Sequence, residues 1–318
     1  MTADGPLEGL PAPRARRKVR GMMLPKLAIV ALVVALAARP APGQMPPPRA
    51  SAPGSALVEK PWEKLSHKRL MEFGEKALGA NPSAWKHGET EHFVFHFREL
   101  ADAQQVGELA EAYYRQIQAD LGVAQDRLTR KNHVFIFNSG DEWQAFVKVI
   151  RLDDWAMGIA RRTELFLFSP QGSRFATGAL GHEITHCIFY RFVPNPVPLW
   201  LNEGFAEFES LHAYAKFRGL DETRYGSRPV RYPLKQLLAA TKYPKEDVPK
   251  FYAASERLVR FLLTAQDRRK FLPFVQMVAG GAKSEDALLF IYHDSFRSFA
   301  AFAEAFEKFN QPPRRADP

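Results

Sequence analysis

Three residues in the stretch GALGHEITHCIFYRF have the types and spacing of a metal centre: His182, Glu183 and His186. On a helix, residues four apart lie one turn apart on the same side, so the two imidazoles can share one tetrahedral ion at about 2.0–2.1 Å. Glu183 is offset by roughly 80° from the midpoint of the histidines, so it flanks such an ion without ligating it. That is where a general base takes a proton from a metal-bound water. The spacing alone recurs by chance, so the reading needs a helix and a third ligand. PLWLNEGFAEFES provides the ligand: Glu203 follows His186 with sixteen residues, 187–202, between them. Glu207 comes one turn after Glu203 and can accept a hydrogen bond from the far nitrogen of a liganding histidine, fixing its orientation.

The elements that must position these groups are legible too. Leu180, Ile184 and Ile188 give the His segment one apolar face, and Ser173 or Thr177 can cap its start. Pro194, Pro196 and Pro198 forbid continuation, so a second helix starts near Leu199. Upstream, helices are expected over about 65–78, 101–121 and 141–150, the last capped near Ser139. Strands are expected at His92–Phe97 and His133–Phe137, with 157–160 and 164–168 forming a hairpin. In the first strand Phe93, Phe95 and Phe97 face the core, and His92 and His96 face water. From residue 232 onward the reading is helical throughout. Strands alternating with helices early and helices alone late predict an α+β fold, with an α/β part over 61–215 carrying the metal helices and a helical subdomain over 216–312.

HEITH followed by WLNEGFAEF resembles the gluzincin metallopeptidases, and is similar in particular to the peptidase MA-like families of exported bacterial proteins. The likeness covers roughly residues 88–310. It implies a zincin (thermolysin-like) catalytic domain with a small mixed sheet, a peptide or protein substrate, and Zn2+ as cofactor. Carried over residue by residue, His182, His186 and Glu203 are the zinc ligands, Glu183 is the general base, and Glu207 orients a ligand from behind. Glu164–Phe168 becomes the edge strand that pairs with substrate backbone. The aminopeptidases sharing WLNEGFA carry a G-x-M-E-N type loop, whereas this chain reads RRTELFLFSP with Glu164 as the one carboxylate nearby. An endopeptidase is therefore expected over an aminopeptidase. The alternative is a zincin-fold binding or scaffold protein of the cell envelope that has lost turnover.

Other groups take lesser readings. Tyr252 is the first candidate to stabilise an oxyanion, ahead of His212, Tyr225 and His293. His92, His96 and His133 are taken as strand-surface residues, and Cys187 as a small buried packing residue. With Cys187 as the single cysteine, no internal disulfide is available.

The 318 residues are 46% hydrophobic and 25% charged, which excludes a disordered or fibrous chain. The formal charge of +9 does not point to nucleic acid: seven basic residues up to Arg39, against Asp4 and Glu8, leave only +4 from Gln44 onward. Leu27–Ala38 is an apolar run behind basic residues, too short to span a bilayer comfortably and suited to a signal peptide over 1–43. Translation starting at Met22 or Met23 would still give a complete export signal. The expectation is an exported protein, periplasmic or secreted, or a membrane-anchored one if residues 27–38 stay uncleaved. A Pro-rich linker is expected over 44–60 and a short tail over 313–318.

Overall fold

The computed structural model describes residues 56–123, 130–152, 157–170, 177–221 and 225–311, with side chains from Leu180 onward in the fourth stretch. The signal segment, the linker up to 55, the capping role of Ser173 or Thr177, and the 313–318 tail lie outside the described residues.

The order is β1 (Val58–Glu59), α1 (Glu72–Ala80), β2 (Lys86–Glu89), β3 (Phe93–Phe97), α2 (Leu100–Asp120), β4 (Asn132–Phe137), α3 (Gly140–Ile150), β5 (Gly158–Arg161) and β6 (Glu164–Phe168). Helices follow: α4 (Thr177–Phe192), α5 (Leu199–Arg218), α6 (Leu234–Ala239), α7 (Val248–Arg260), α8 (Phe271–Ala279), α9 (Ser284–Ile291) and α10 (Phe299–Phe309). The fold is mixed α+β. The six strands form one sheet in the order β1-β2-β3-β4-β6-β5, parallel at β3–β4 and β4–β6 and antiparallel elsewhere. Among the described residues no helix is long and apolar enough to cross a membrane.

Strand alternation divides the core in two. Phe93, Phe95, Val134, Ile136, Leu165 and Leu167 face the larger cluster with α2, α4 and α5. Phe135, Phe137, Phe166 and Ile159 face the smaller one, closed by Ala77 of α1 and by Trp143, Phe146 and Val147 of α3. On α2, Ala103, Val106, Ala110, Tyr113 and Ile117 recur at helical spacing and are all buried. Ser139 caps α3 as expected, its hydroxyl accepting from the Glu142 amide.

Several expectations need correction. Glu164–Phe168 is not an edge strand: it lies between β4 and β5, and β5 forms the edge. Glu164 itself is buried and accepts from the amides of Met71 (2.6 Å) and Gly74 (3.0 Å), so it caps α1 from across the sheet. This tertiary cap explains why the helix starts at Glu72, seven residues later than the periodicity indicates. It also removes Glu164 as a receptor for a substrate amine. His96 and His133 are not on a wet face: they are 0% and 3% exposed. The ring of Trp62 lies 5.9 Å from His96, and Phe135 stacks on it at 4.3 Å, so this side of the sheet is covered. His92 is half-covered, stacked on Tyr114 at 3.7 Å. The expected linker ends early, because Val58 and Glu59 pair with β2. Finally, α5 runs through residue 215 to Arg218, and the larger core extends unbroken from β3 to α10.

Candidate metal centre

Two helices carry the centre, and each approaches its neighbour at a glycine beside a ligand. On α4, a Cβ at Gly181 would lie 2.7 Å from Cζ of Tyr113 on α2. On α5, a Cβ at Gly204 would lie 2.6 Å from the carbonyl carbon of Ser255 on α7. Beside Glu203, α5 therefore meets α7 at backbone distance, and beside His182 the missing side chain leaves room for the Tyr113 ring. Phe189 and Phe205 pack at 4.6 Å between α4 and α5, and Trp200 and Leu201 are fully buried.

This packing brings together the three expected ligands. His182 Nε2 and His186 Nε2 lie 3.0 Å apart, and Glu203 Oε2 lies 3.3 Å from the first and 3.6 Å from the second. Three ligands about 2.0–2.1 Å from one tetrahedral ion are separated by about 3.3 Å from each other, so the triangle fits a metal ion. Oε2 of Glu203 is buried and has no hydrogen-bond partner among the described residues, whereas Oε1 accepts from Tyr243 Oη at 2.9 Å and Asn202 Nδ2 at 3.1 Å. One oxygen is fixed and the other is aimed at the imidazole pair. A buried carboxylate oxygen without a partner is costly, and a cation removes that cost. The group of His182, His186 and Glu203 could hold a metal ion.

The electrostatics favour positive charge. Burial opposes a proton on His182, but the carboxylates of Glu203 and Glu207 outweigh it and hold its pKa well above the ordinary imidazole value. Burial likewise pushes Glu203 up, and the neighbouring His186 and His182 overcome it and keep the carboxyl well below its usual range. Glu207 Oε1 stands 3.1 Å from Nδ1 of His182, the relation expected of a group that fixes the ring with Nε2 inward.

Glu183 is 3% exposed and turns toward β5. Its Oε2 accepts the Ala160 amide of the edge strand at 2.8 Å, and its Oε1 has no hydrogen-bond partner among the described residues. Tyr252 comes near through α7, its ring 6.0 Å from that of His182. It stacks on Tyr243 at 5.9 Å. Tyr243 was not singled out by the sequence: it sits forty positions from Glu203, between α6 and α7, where no periodicity marks it. Asn202 could have been found, since it adjoins the acid in the N-E-G run.

The remaining candidates lie elsewhere. His212 stands 3.6 Å from Asp120 and stacks on Phe208, and His293 is exposed with Nδ1 3.0 Å from the Phe290 carbonyl. The Tyr225 carbonyl accepts from Arg260. Cys187 is fully buried, with Sγ 3.1 Å from Asn132 Nδ2, as a packing residue should be. A second His/Glu group, Glu91, His92 and Glu111, also has suitable donors. There, however, Glu111 already binds both the amide and the ring of His92, with Arg115 3.9 Å away.

Compared with protein-family models and with curated proteins, the chain gives no significant match.

Proposed function

We propose that this chain is an exported zinc peptidase of gluzincin type with a zincin catalytic domain, holding Zn2+ through His182, His186 and Glu203. One observation carries the reading: three donor atoms at tetrahedral spacing, one of them a buried carboxylate oxygen with no hydrogen-bond partner among the described residues. Zinc bound by three protein ligands supplies Lewis-acid chemistry, polarising a carbonyl and lowering the pKa of a coordinated water to about 7.

The chain's own residues do the rest. Glu183 receives the proton of the attacking water on Oε1, because Oε2 is held by the Ala160 amide, and then passes it to the leaving amine. Glu207 keeps the His182 ring in its liganding orientation. Burial, with Glu203 close by, pushes the Tyr252 phenol far above its ordinary value, so it stays protonated and can donate to the oxyanion of the substrate carbonyl. The β5 edge, with Gly158 next to Glu183 and no further strand on its outer side among the described residues, suits an extended substrate backbone at its outward groups other than the Ala160 amide, which Glu183 already takes. The apolar run at 27–38 would carry the chain out of the cytoplasm, with a membrane anchor as the outcome if it is not cleaved.

The test compares wild type with Glu183→Gln for bound zinc and for hydrolysis of casein and a mixed peptide library. The expected result is stoichiometric zinc in both, with hydrolysis lowered about 10²–10⁴-fold in the variant. Zinc in both with equal hydrolysis removes Glu183 from the reaction. Zinc with no hydrolysis by wild type leaves a binding protein.

A further inference from the structure

Beside the metal centre lies a cavity of about 1080 Å³, at the upper end of the range for ligand sites, so it has room for more than one side chain. Phe189, Val193, Val197 and Leu238 give it apolar walls. Asn202 and Tyr243 also line it, and these are the two residues that hold Oε1 of Glu203. The cavity is thus one side chain removed from the ligand carboxylate. Tyr190, one helical turn beyond His186, continues the wall, and the Arg162 guanidinium from the β5–β6 turn lies 6.0 Å from its ring.

The charge on this lining is one-sided. Lys235 and Lys242 come from α6 and the turn after it, Lys283 comes from the segment before α9, and Glu285 is the only acid among the lining residues. Lys235 sits 5.8 Å over the Phe299 ring, and neither Lys242 nor Lys283 forms an ion pair among the described residues. The three lysines are exposed at the rim of this apolar concavity, and several ammonium groups facing one carboxylate attract anions, the more so at low salt. The chain's own basic segment before Gly43 has the wrong sign to fill it.

We propose that this cavity selects the substrate: it receives the part of a peptide next to the scissile bond and prefers a bulky apolar residue flanked by carboxylates. The inference rests on the peptidase reading for the word substrate, but the binding it requires can be measured without turnover. The carboxylate can be a side chain or a peptide C-terminus, which present the same anion to the lysines.

The experiment uses the full zinc-loaded chain carrying Glu183→Gln. Labelled amidated peptides, identical except that the residues flanking a central Phe-Leu pair are Glu, Gln or Lys, are titrated by fluorescence anisotropy at about 20 mM and about 0.5 M salt. A fourth peptide is the Gln version with a free C-terminus. The Glu peptide is expected to bind at least tenfold more tightly than the Lys peptide at low salt, with the gap closing at high salt. Adding Lys242→Glu with Lys283→Glu is expected to invert the order, while zinc content and near-ultraviolet circular dichroism report the fold. If only the free-acid peptide binds, the anion recognised is the terminus. Equal affinity for the Glu, Gln and Lys peptides, with no gain from the free terminus, overturns the proposal. So does an order that survives charge reversal. Charge-dependent binding with no hydrolysis by wild type would retain the cavity and sink the peptidase. Hydrolysis without charge preference would do the opposite.

Discussion

On α4, His182 and His186 bring ring nitrogens to 3.0 Å; on the far side of the sheet, His96 reaches 2.9 Å from His87 and 3.0 Å from His133. The spacings match, but the surroundings do not. Around the first pair stand Glu203 and Glu207, and the site favours positive charge. The second chain lies against Trp62 and Phe135, with His96 and His133 stacked in parallel. There burial dominates: His96 is held well below the ordinary imidazole value and His133 is lowered to about 4. The first cluster could hold a cation, whereas the second favours neutral rings in contact through N–H···N hydrogen bonds. Residue type does not decide which; the carboxylates do.

Removing the carboxylate is the strongest way to break that contrast. Glu203→Gln is expected to weaken zinc binding by about a hundredfold or more, beyond the 10–100-fold typical of an outer partner, and to abolish hydrolysis. His96→Phe should leave zinc affinity unchanged within about twofold. Titration against a chromophoric chelator reads both, and full-strength zinc binding by Glu203→Gln would dissolve the distinction.

The next largest effect is pH-dependent and appears in the metal-free protein. His133 has a folded pKa near 4 against 6.5 when unperturbed, so its contribution to stability is present above about 6.5 and lost as pH falls toward 4. At about 1.36 kcal/mol per pKa unit, that is about 3 kcal/mol. His182, raised in the folded state, contributes in the other sense: its share is present below the ordinary imidazole value and lost as pH rises through the elevated one. Urea midpoints at pH 7 and pH 4.5 should therefore fall in wild type and flatten in the His96→Phe, His133→Phe double variant. An unchanged slope would mean that the buried chain is protonated in the fold.

The smallest effect sharpens the comparison within the centre. Glu207→Gln should keep zinc at stoichiometric levels but bind it about 10–100-fold more weakly, because His182 loses the anion behind Nδ1. Competition with a chelator of known affinity measures it.

The facing of His182 and His186 was legible because helical geometry turns i, i+4 spacing into a shared face, whereas the approach of Glu203 to them depends on how α5 packs on α4. That Glu203 and Glu207 share a face was legible for the same reason. What was hidden depends on segments distant in sequence. Tyr243 reaches Glu203 from forty positions away, and the cavity lysines are scattered over Lys235 to Lys283, so neither leaves a local pattern. The strand histidines were misjudged because alternation reveals two faces without saying that Trp62 and α1 cover the second. β6 was mistaken for an edge because strand order is set by pairing, which hydrophobic periodicity does not encode.

The glycines beside His182 and Glu203 have a consequence for how this site can change. At 204 there is no clearance for a single methyl group against the Ser255 carbonyl, and at 181 none against Tyr113. At the turns carrying His182 and Glu203, α4 and α5 therefore have no room to shift unless the Tyr113 ring or the Ser255 backbone moves with them. The turns bearing Arg162, Lys242 and Lys283 lie outside that tight contact, so side chains there can change without disturbing the packing of α4 and α5.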